Sequence, residues 1–205
     1  DPIYQKHATM FGRTITRDSR KEEEIIADAV KVAQQSDVVV AALGESSEMS
    51  GESSSRSELD IPKNQQNLLK ALLATGKPVV LVLFTGRPLT LTWEDAHVPA
   101  ILNVWFGGTE TGKAVADVLF GDVVPSGKIT ATFPRNVGQI PIYYAHKNTG
   151  RPYGNSGDFE KFKSNYLDVS NSPLYPFGYG LSYTTFTYGE IRLDRNTIDD
   201  KGTLQ

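Results

Sequence analysis

The sequence predicts an α/β fold: a mainly parallel sheet flanked by helices, followed by a long irregular C-terminal wrap. Three observations carry this. Strand-like stretches recur at Val38–Leu43, Pro78–Phe84, Ala100–Trp105 and Ile129–Phe133. Segments with helical spacing or helix-start signals lie between them. After Pro134 the periodicity fades, and Gly, Pro, Asn and Tyr accumulate. Strands alternating with helices imply βαβ units and a parallel sheet. In such sheets ligands sit beyond the carboxyl ends of the strands.

Residues 1–18 are polar and unpatterned and read as a lead-in segment. The α/β domain is expected over residues 19–134. Ser19 is placed to cap a helix whose first turns hold Glu22, Glu23 and Glu24, where the helix dipole favours anions. Ile25, Ile26, Ala29, Val30 and Ala33 give that helix an apolar stripe ending near Gln35. Val38–Leu43 reads as a strand buried on both faces, stopped by Gly44. A loop dense in Ser and Glu runs to Leu59. Pro62 opens a second helix, with Leu68, Leu69, Leu72 and Leu73 inward and Gly76 at its end. Pro78–Phe84 is a second buried strand, Thr85–Pro88 a turn, and Leu89–Ala96 a short helix. Ala100–Trp105 is a third strand, and Gly107-Gly108 turns into a helix over Thr109–Phe120. Ile129–Phe133 is a fourth strand. Residues 135–182 form an extended wrap, and loops of that length are usually functional or embrace another domain. Thr184–Leu193 alternates as a strand within a tail over residues 183–205.

Composition narrows the function. The 205 residues carry 39% hydrophobic and 22% charged residues with a net charge of −3. That supports a packed core. It offers neither the basic stripe of a nucleic-acid binder nor a polybasic membrane patch. No apolar run reaches the roughly 18 residues of a membrane span. With no cysteine, disulfides, thiolate metal sites and cysteine nucleophiles are excluded.

The loop after the first strand is the strongest chemical signal. Glu45, Glu48 and Glu52 fall within eight residues, with Arg56 close behind. A glycosidase needs a carboxyl still protonated near neutral pH to deliver a proton to the leaving oxygen. Crowding of carboxylates and burial both raise a carboxyl pKa. Taken alone, the same run reads rather as a solvated acidic surface loop. Gly107–Lys113 matches the GxxxxGK spacing of a phosphate loop, but Ala114 replaces the Mg²⁺-ligating hydroxyl. Helix capping and tight strand–helix packing explain that stretch as well. His7, His97 and His146 are far apart and read as surface or structural histidines. Trp105, Phe106, Tyr143, Tyr144, Tyr153 and Tyr166 are candidates to stack on sugar rings or to pin the wrap.

Four stretches resemble glycoside hydrolase family 3, the β-glucosidases and β-xylosidases. They are Ser36–Glu45 with Glu52–Pro62 (ESSSRSELDIP), Gly76–Pro88 (GKPVVLVLFTGRP), Trp105–Lys128 (WFGGTETGKAVADVLFGDVVPSGK) and Tyr175–Phe186 (YPFGYGLSYTTF). Tyr143-Tyr144 and Asn148–Tyr153 are similar to segments of bacterial periplasmic members. The resemblance implies an α/β sandwich whose acid/base glutamate precedes an arginine by four residues and a proline by ten. Glu52, Arg56 and Pro62 fit that spacing. Glu52 is therefore the expected general acid/base, with Arg56, Glu45 and Glu48 as expected substrate-contacting residues.

The resemblance further implies a nucleophilic aspartate in a preceding TIM-barrel domain, with β-glucosides or oligosaccharides as substrates. It implies no cofactor and no nucleic-acid or membrane partner. Ser36-Asp37 has Val38 where the family's nucleophile motif has tryptophan, so it is not taken as the nucleophile. The chain is expected to be an incomplete piece, inactive alone, of a periplasmic or secreted bacterial enzyme. Residues 183–205 resemble the start of a fibronectin type III-like domain. The alternatives are a non-catalytic carbohydrate-binding or scaffold domain and a nucleotide-binding protein using Gly107–Lys113.

Overall fold

The computed structural model describes residues 18–153 and 160–203, so nearly all of the expected lead-in segment, with His7, lies outside the described residues. Helix α1 spans Glu22–Gln34. It starts after Lys21 rather than at Ser19, because the Glu24 carboxylate reaches back to accept the Lys21 backbone N–H at 3.2 Å. The predicted stripe faces inward, and Ala33 is buried.

Strand β1 (Val39–Gly44), β2 (Val79–Phe84) and β3 (Ala100–Asn103) form a parallel sheet in the order β1-β2-β3. Between them come α2 (Lys63–Leu73), directly after Pro62, and the short α3 (Thr92–His97). Leu69 and Leu72 of α2 pack into one core with Leu81 and Leu83 of β2, and with Leu89 and Leu91. Helix α4 (Thr111–Leu119) follows the Gly107-Gly108 turn.

The expected double-sided burial holds for β2, which lies in the middle, but not for β1. Val40 is 53% exposed while Ala41 is buried. As the outer strand of the described sheet, β1 is covered on one face only. A continuous apolar run does not tell which of its faces meets a helix layer.

Ile129–Phe133 is also not a fourth strand of the sheet. It pairs instead with the returning wrap, through Ile129 N–H to Tyr179 O and Phe133 N–H to Tyr175 O, both 2.9 Å. Only one antiparallel bridge forms, Phe133 with Tyr175. Pro134 and Pro176 have no N–H to extend the ladder, and a turn from Tyr179 N–H to Pro176 O bends the chain away. Phe133 is buried between Trp105 and Tyr175, and the Tyr175 hydroxyl donates to Asp95 Oδ1 at 2.5 Å. Gln139, also buried, ties the wrap down by accepting the Arg135 N–H and donating to Ser170 O. Thr184–Leu193 forms no strand, and Tyr188 and Ile191 stand almost fully exposed. An alternating pattern becomes a strand only against a partner edge.

Candidate active-site loop

The parallel register aligns Gly44 with Phe84 and Leu83 with Asn103. Three connections therefore leave the same edge of the sheet, beginning at Glu45, Thr85 and Val104. Their meeting point is tight. A Cβ on Gly86 would lie 2.0 Å from Ser50 Oγ and 2.9 Å from the Phe106 ring. A Cβ on Gly44 would lie 1.8 Å from Phe84 O, and Gly44 has φ +132°, so only glycine fits there. Gln65 of α2 brackets Gly44, accepting its N–H at 2.7 Å and donating to its carbonyl at 2.9 Å.

Glu45 follows immediately, and its side chain has no solvent exposure. Its Oε1 takes Arg56 Nη1 at 2.8 Å and lies 3.1 Å from Arg87 Nε, an ion pair without hydrogen-bond alignment. Its Oε2 accepts from Thr85 Oγ1 at 3.0 Å and from the Gly86 N–H at 3.1 Å. Charge-assisted bonds of this kind are about twice as strong as neutral ones. Glu45, expected among the substrate-contacting groups, is thus enclosed by protein donors and bonds no external molecule without giving one up.

The loop rises from this anchor. Ser47–Met49 makes a single 3-10 turn, with Glu48 exposed and Met49 buried. Gly51–Ser54 closes a turn through Ser54 N–H to Gly51 O, with Ser53 at φ 59° and Glu52 exposed at the tip. Arg87 Nη2 donates to Met49 O at 2.6 Å and to Ser54 O at 2.8 Å, one carbonyl on each side of Glu52. Farther along, Arg56 Nη2 donates to Asp60 O. The Asp60 side chain takes the Thr90 hydroxyl, and Ile61 is buried. Glu52, Glu48 and Arg56 thus share one loop on one sheet edge, with Glu52 and Glu48 reaching solvent and Arg56 largely turned inward.

Phe106 is half exposed beside Gly86, whereas Trp105 turns into the core against Phe133. Tyr143 and Tyr144 are exposed, and Tyr144 contacts the Phe177 ring. Lys113 does not face a phosphate loop. It is mostly exposed and pairs with Asp117 one turn along α4, while Thr111 packs against Gly107 and bonds Gly108 O. His97 stacks on Trp93, and no group of three or more metal-ligating His, Asp or Glu occurs among the described residues. An apolar groove of about 500 Å³ beside β3, lined by Val98, Ile101, Tyr175 and Tyr183 among others, shares no residue with the Glu45–Ile61 loop.

Sequence reasoning missed Gln65, Thr85 and Arg87. The signal for Arg87 was a charged residue directly after a buried strand, in a turn already expected to face the ligand edge. Glu94 was missed too. It is buried on α3 near Gln66, and desolvation pushes its pKa up.

The sheet, its helices and the carboxylate loop at its carboxyl edge make up an α/β domain, and a family model described as the glycosyl hydrolase family 3 C-terminal domain matches residues 4–183. The chain belongs to glycoside hydrolase family 3. It is 54% identical over 195 residues to the periplasmic β-glucosidase of Salmonella typhimurium strain LT2, covering 95% of this chain and 25% of that protein. It is 43% identical over 181 residues to a β-xylosidase of Formosa agariphila, covering 88% of this chain and 24% of that protein. The crystal structure of a β-glucosidase from Listeria innocua in complex with gluconolactone superposes with a TM-score of 0.80 at 43% identity, over 87% of this chain and 25% of that one. The chain therefore spans about a quarter of the length of the curated relatives it matches. Among the described residues no helix is long and apolar enough to cross a membrane.

Proposed function

We propose that this chain supplies the general acid/base of a retaining β-glycosidase acting on terminal β-linked glucose, and that Glu52 is that group. The observation that carries the reading is a solvent-facing carboxylate on a turn pinned at the carboxyl edge of a parallel sheet. Relatives named β-glucosidase and β-xylosidase support the reaction class, and the Salmonella relative supports a periplasmic or secreted location. The nucleophile is an aspartate of a TIM-barrel domain that precedes this one in the working enzyme. Residues 183–205 begin a fibronectin-like domain.

The aspartate attacks the anomeric carbon while Glu52 protonates the departing glycosidic oxygen. Glu52, now a carboxylate, then takes a proton from the water that releases the sugar. A retaining mechanism sets the two carboxyls about 5–5.5 Å apart. Arg56 holds the descending leg of the loop, and Glu48, exposed on the same loop, contacts the substrate.

Substituting Glu52→Gln in the full-length enzyme tests this. An activated aryl glucoside needs little proton assistance, whereas a natural disaccharide needs much. The variant should lose about 10²–10⁴-fold on the disaccharide, with far smaller losses on the aryl substrate, and azide should restore turnover of the latter. That pattern in Glu45→Gln or Glu48→Gln, and not in Glu52→Gln, overturns the assignment.

A further inference from the structure

The geometry points to Arg87 and Glu45 as a clamp that positions Glu52 for proton transfer, an inference that rests on the Glu52 reading. Among the described residues the Glu52 carboxylate makes no hydrogen bond or ion pair. Its place is therefore set through its backbone. One nitrogen, Arg87 Nη2, holds the carbonyls of Met49 and Ser54, which bracket Glu52 by three residues and two.

Arg87 is itself oriented. Its Nε lies against Glu45 Oε1, and the other Glu45 oxygen is held by Thr85 and Gly86, the two residues before Arg87. The Arg87 backbone N–H also donates to Thr85 Oγ1. The chain of contacts runs from the end of β2 to Glu45, then to Arg87, then to both sides of the Glu52 turn. Ser50 against Gly86 adds a steric stop, because no side chain fits between them. The remaining ties across the turn are long, Ser54 N–H to Gly51 O at 3.3 Å and Ser54 Oγ to either Glu48 O at 3.4 Å or Glu52 O at 3.3 Å. Arg87 and Glu45 act through Glu52 and are positioning residues.

Only a planar guanidinium offers donors in several fixed directions at once, so lysine cannot reproduce the clamp. A displacement of about 1 Å at a reacting group costs on the order of 100-fold. That loss should fall where proton donation limits the rate.

The test uses the full-length enzyme and its Arg87→Met, Arg87→Lys, Glu52→Gln and Arg87→Met/Glu52→Gln variants. Each is assayed on a disaccharide and on an activated aryl glucoside across pH. The expected result for Arg87→Met is a disaccharide kcat/KM down about 100-fold, with the aryl substrate down no more than about threefold. The pH limb assigned to the acid should move, and the double variant should be little worse than Glu52→Gln alone. Arg87→Lys should fail to restore the disaccharide rate. It also serves as the measured variant should Arg87→Met not fold, as judged by circular dichroism.

Equal losses on both substrates, with an unmoved pH limb, show a merely structural arginine and overturn the clamp while Glu52 stands. Full disaccharide activity in Arg87→Lys overturns it too. If Glu52→Gln itself shows no leaving-group dependence, the Glu52 reading fails and the clamp falls with it.

Discussion

Replacing Glu45 by alanine removes the carboxylate on which four groups converge. Two are neutral, the Thr85 hydroxyl and the Gly86 N–H; two are guanidinium groups of largely inward-facing side chains. Breaking a buried ion pair from one side costs about 3–5 kcal/mol, chiefly from the charge left behind. Here both arginines keep backbone carbonyl partners and some access to water. The lower bound therefore applies, about 3 kcal/mol, or roughly 100-fold in an opening equilibrium. The cost is local, because the core of Leu69, Leu81 and Leu83 does not touch Glu45 through any of these bonds. Amide hydrogen exchange read by mass spectrometry on the full-length protein measures it. Peptides covering residues 46–56 should exchange roughly 100-fold faster in Glu45→Ala, while peptides across β2 keep their protection. Exchange of residues 46–56 within about threefold of wild type would refute the reasoning. So would equal acceleration across β2, which would make Glu45 a determinant of the whole domain.

Two further outcomes follow from burial. Leu81 is fully buried at the centre of β2, so Leu81→Ala should cost about 2–5 kcal/mol, seen as a lower urea midpoint with an unchanged slope. For Glu94, burial raises the folded-state pKa, so the folded chain binds more protons than the unfolded one. Its stabilising contribution is complete below the ordinary glutamate pKa and is lost as pH rises through the folded value. Glu94→Gln should flatten that decline, and melting temperatures that fall with pH as steeply as in wild type would count against it.

Period and composition made β2 and the Leu stripe of α2 legible, because both are buried regardless of what lies farther out. The single-sided burial of β1 was not legible, since Val40 and Ala41 are equally apolar and only the sheet order decides which is covered. Ile129–Phe133 had strand chemistry, yet Pro134 and Pro176 left it one bridge to the wrap instead of a ladder. In the loop, Glu52 and Arg56 could be singled out through the spacing that the family resemblance implies. The roles of Glu45, Gln65 and Arg87 could not, because their partners across the loop and sheet lie 11 to 42 residues away in sequence. A buried glutamate with two arginines and a solvated one look alike until the chain is folded.

The pairing of Phe133 with Tyr175 also sets an order of events at the ribosome. Asp95 on α3 receives the Tyr175 hydroxyl from 80 residues downstream, and Trp105 meets a ring that Tyr175 itself flanks. At elongation rates of about 5–20 residues per second the stretch from Phe133 to Tyr175 takes about 2–8 s to make. Until Tyr175 arrives, Phe133 lacks one of the two rings and the backbone partner that cover it in the finished chain. The wrap is thus the closing stitch of this domain. A chain cut short before Tyr175 would leave uncovered one side of a Phe133 ring that the finished protein buries.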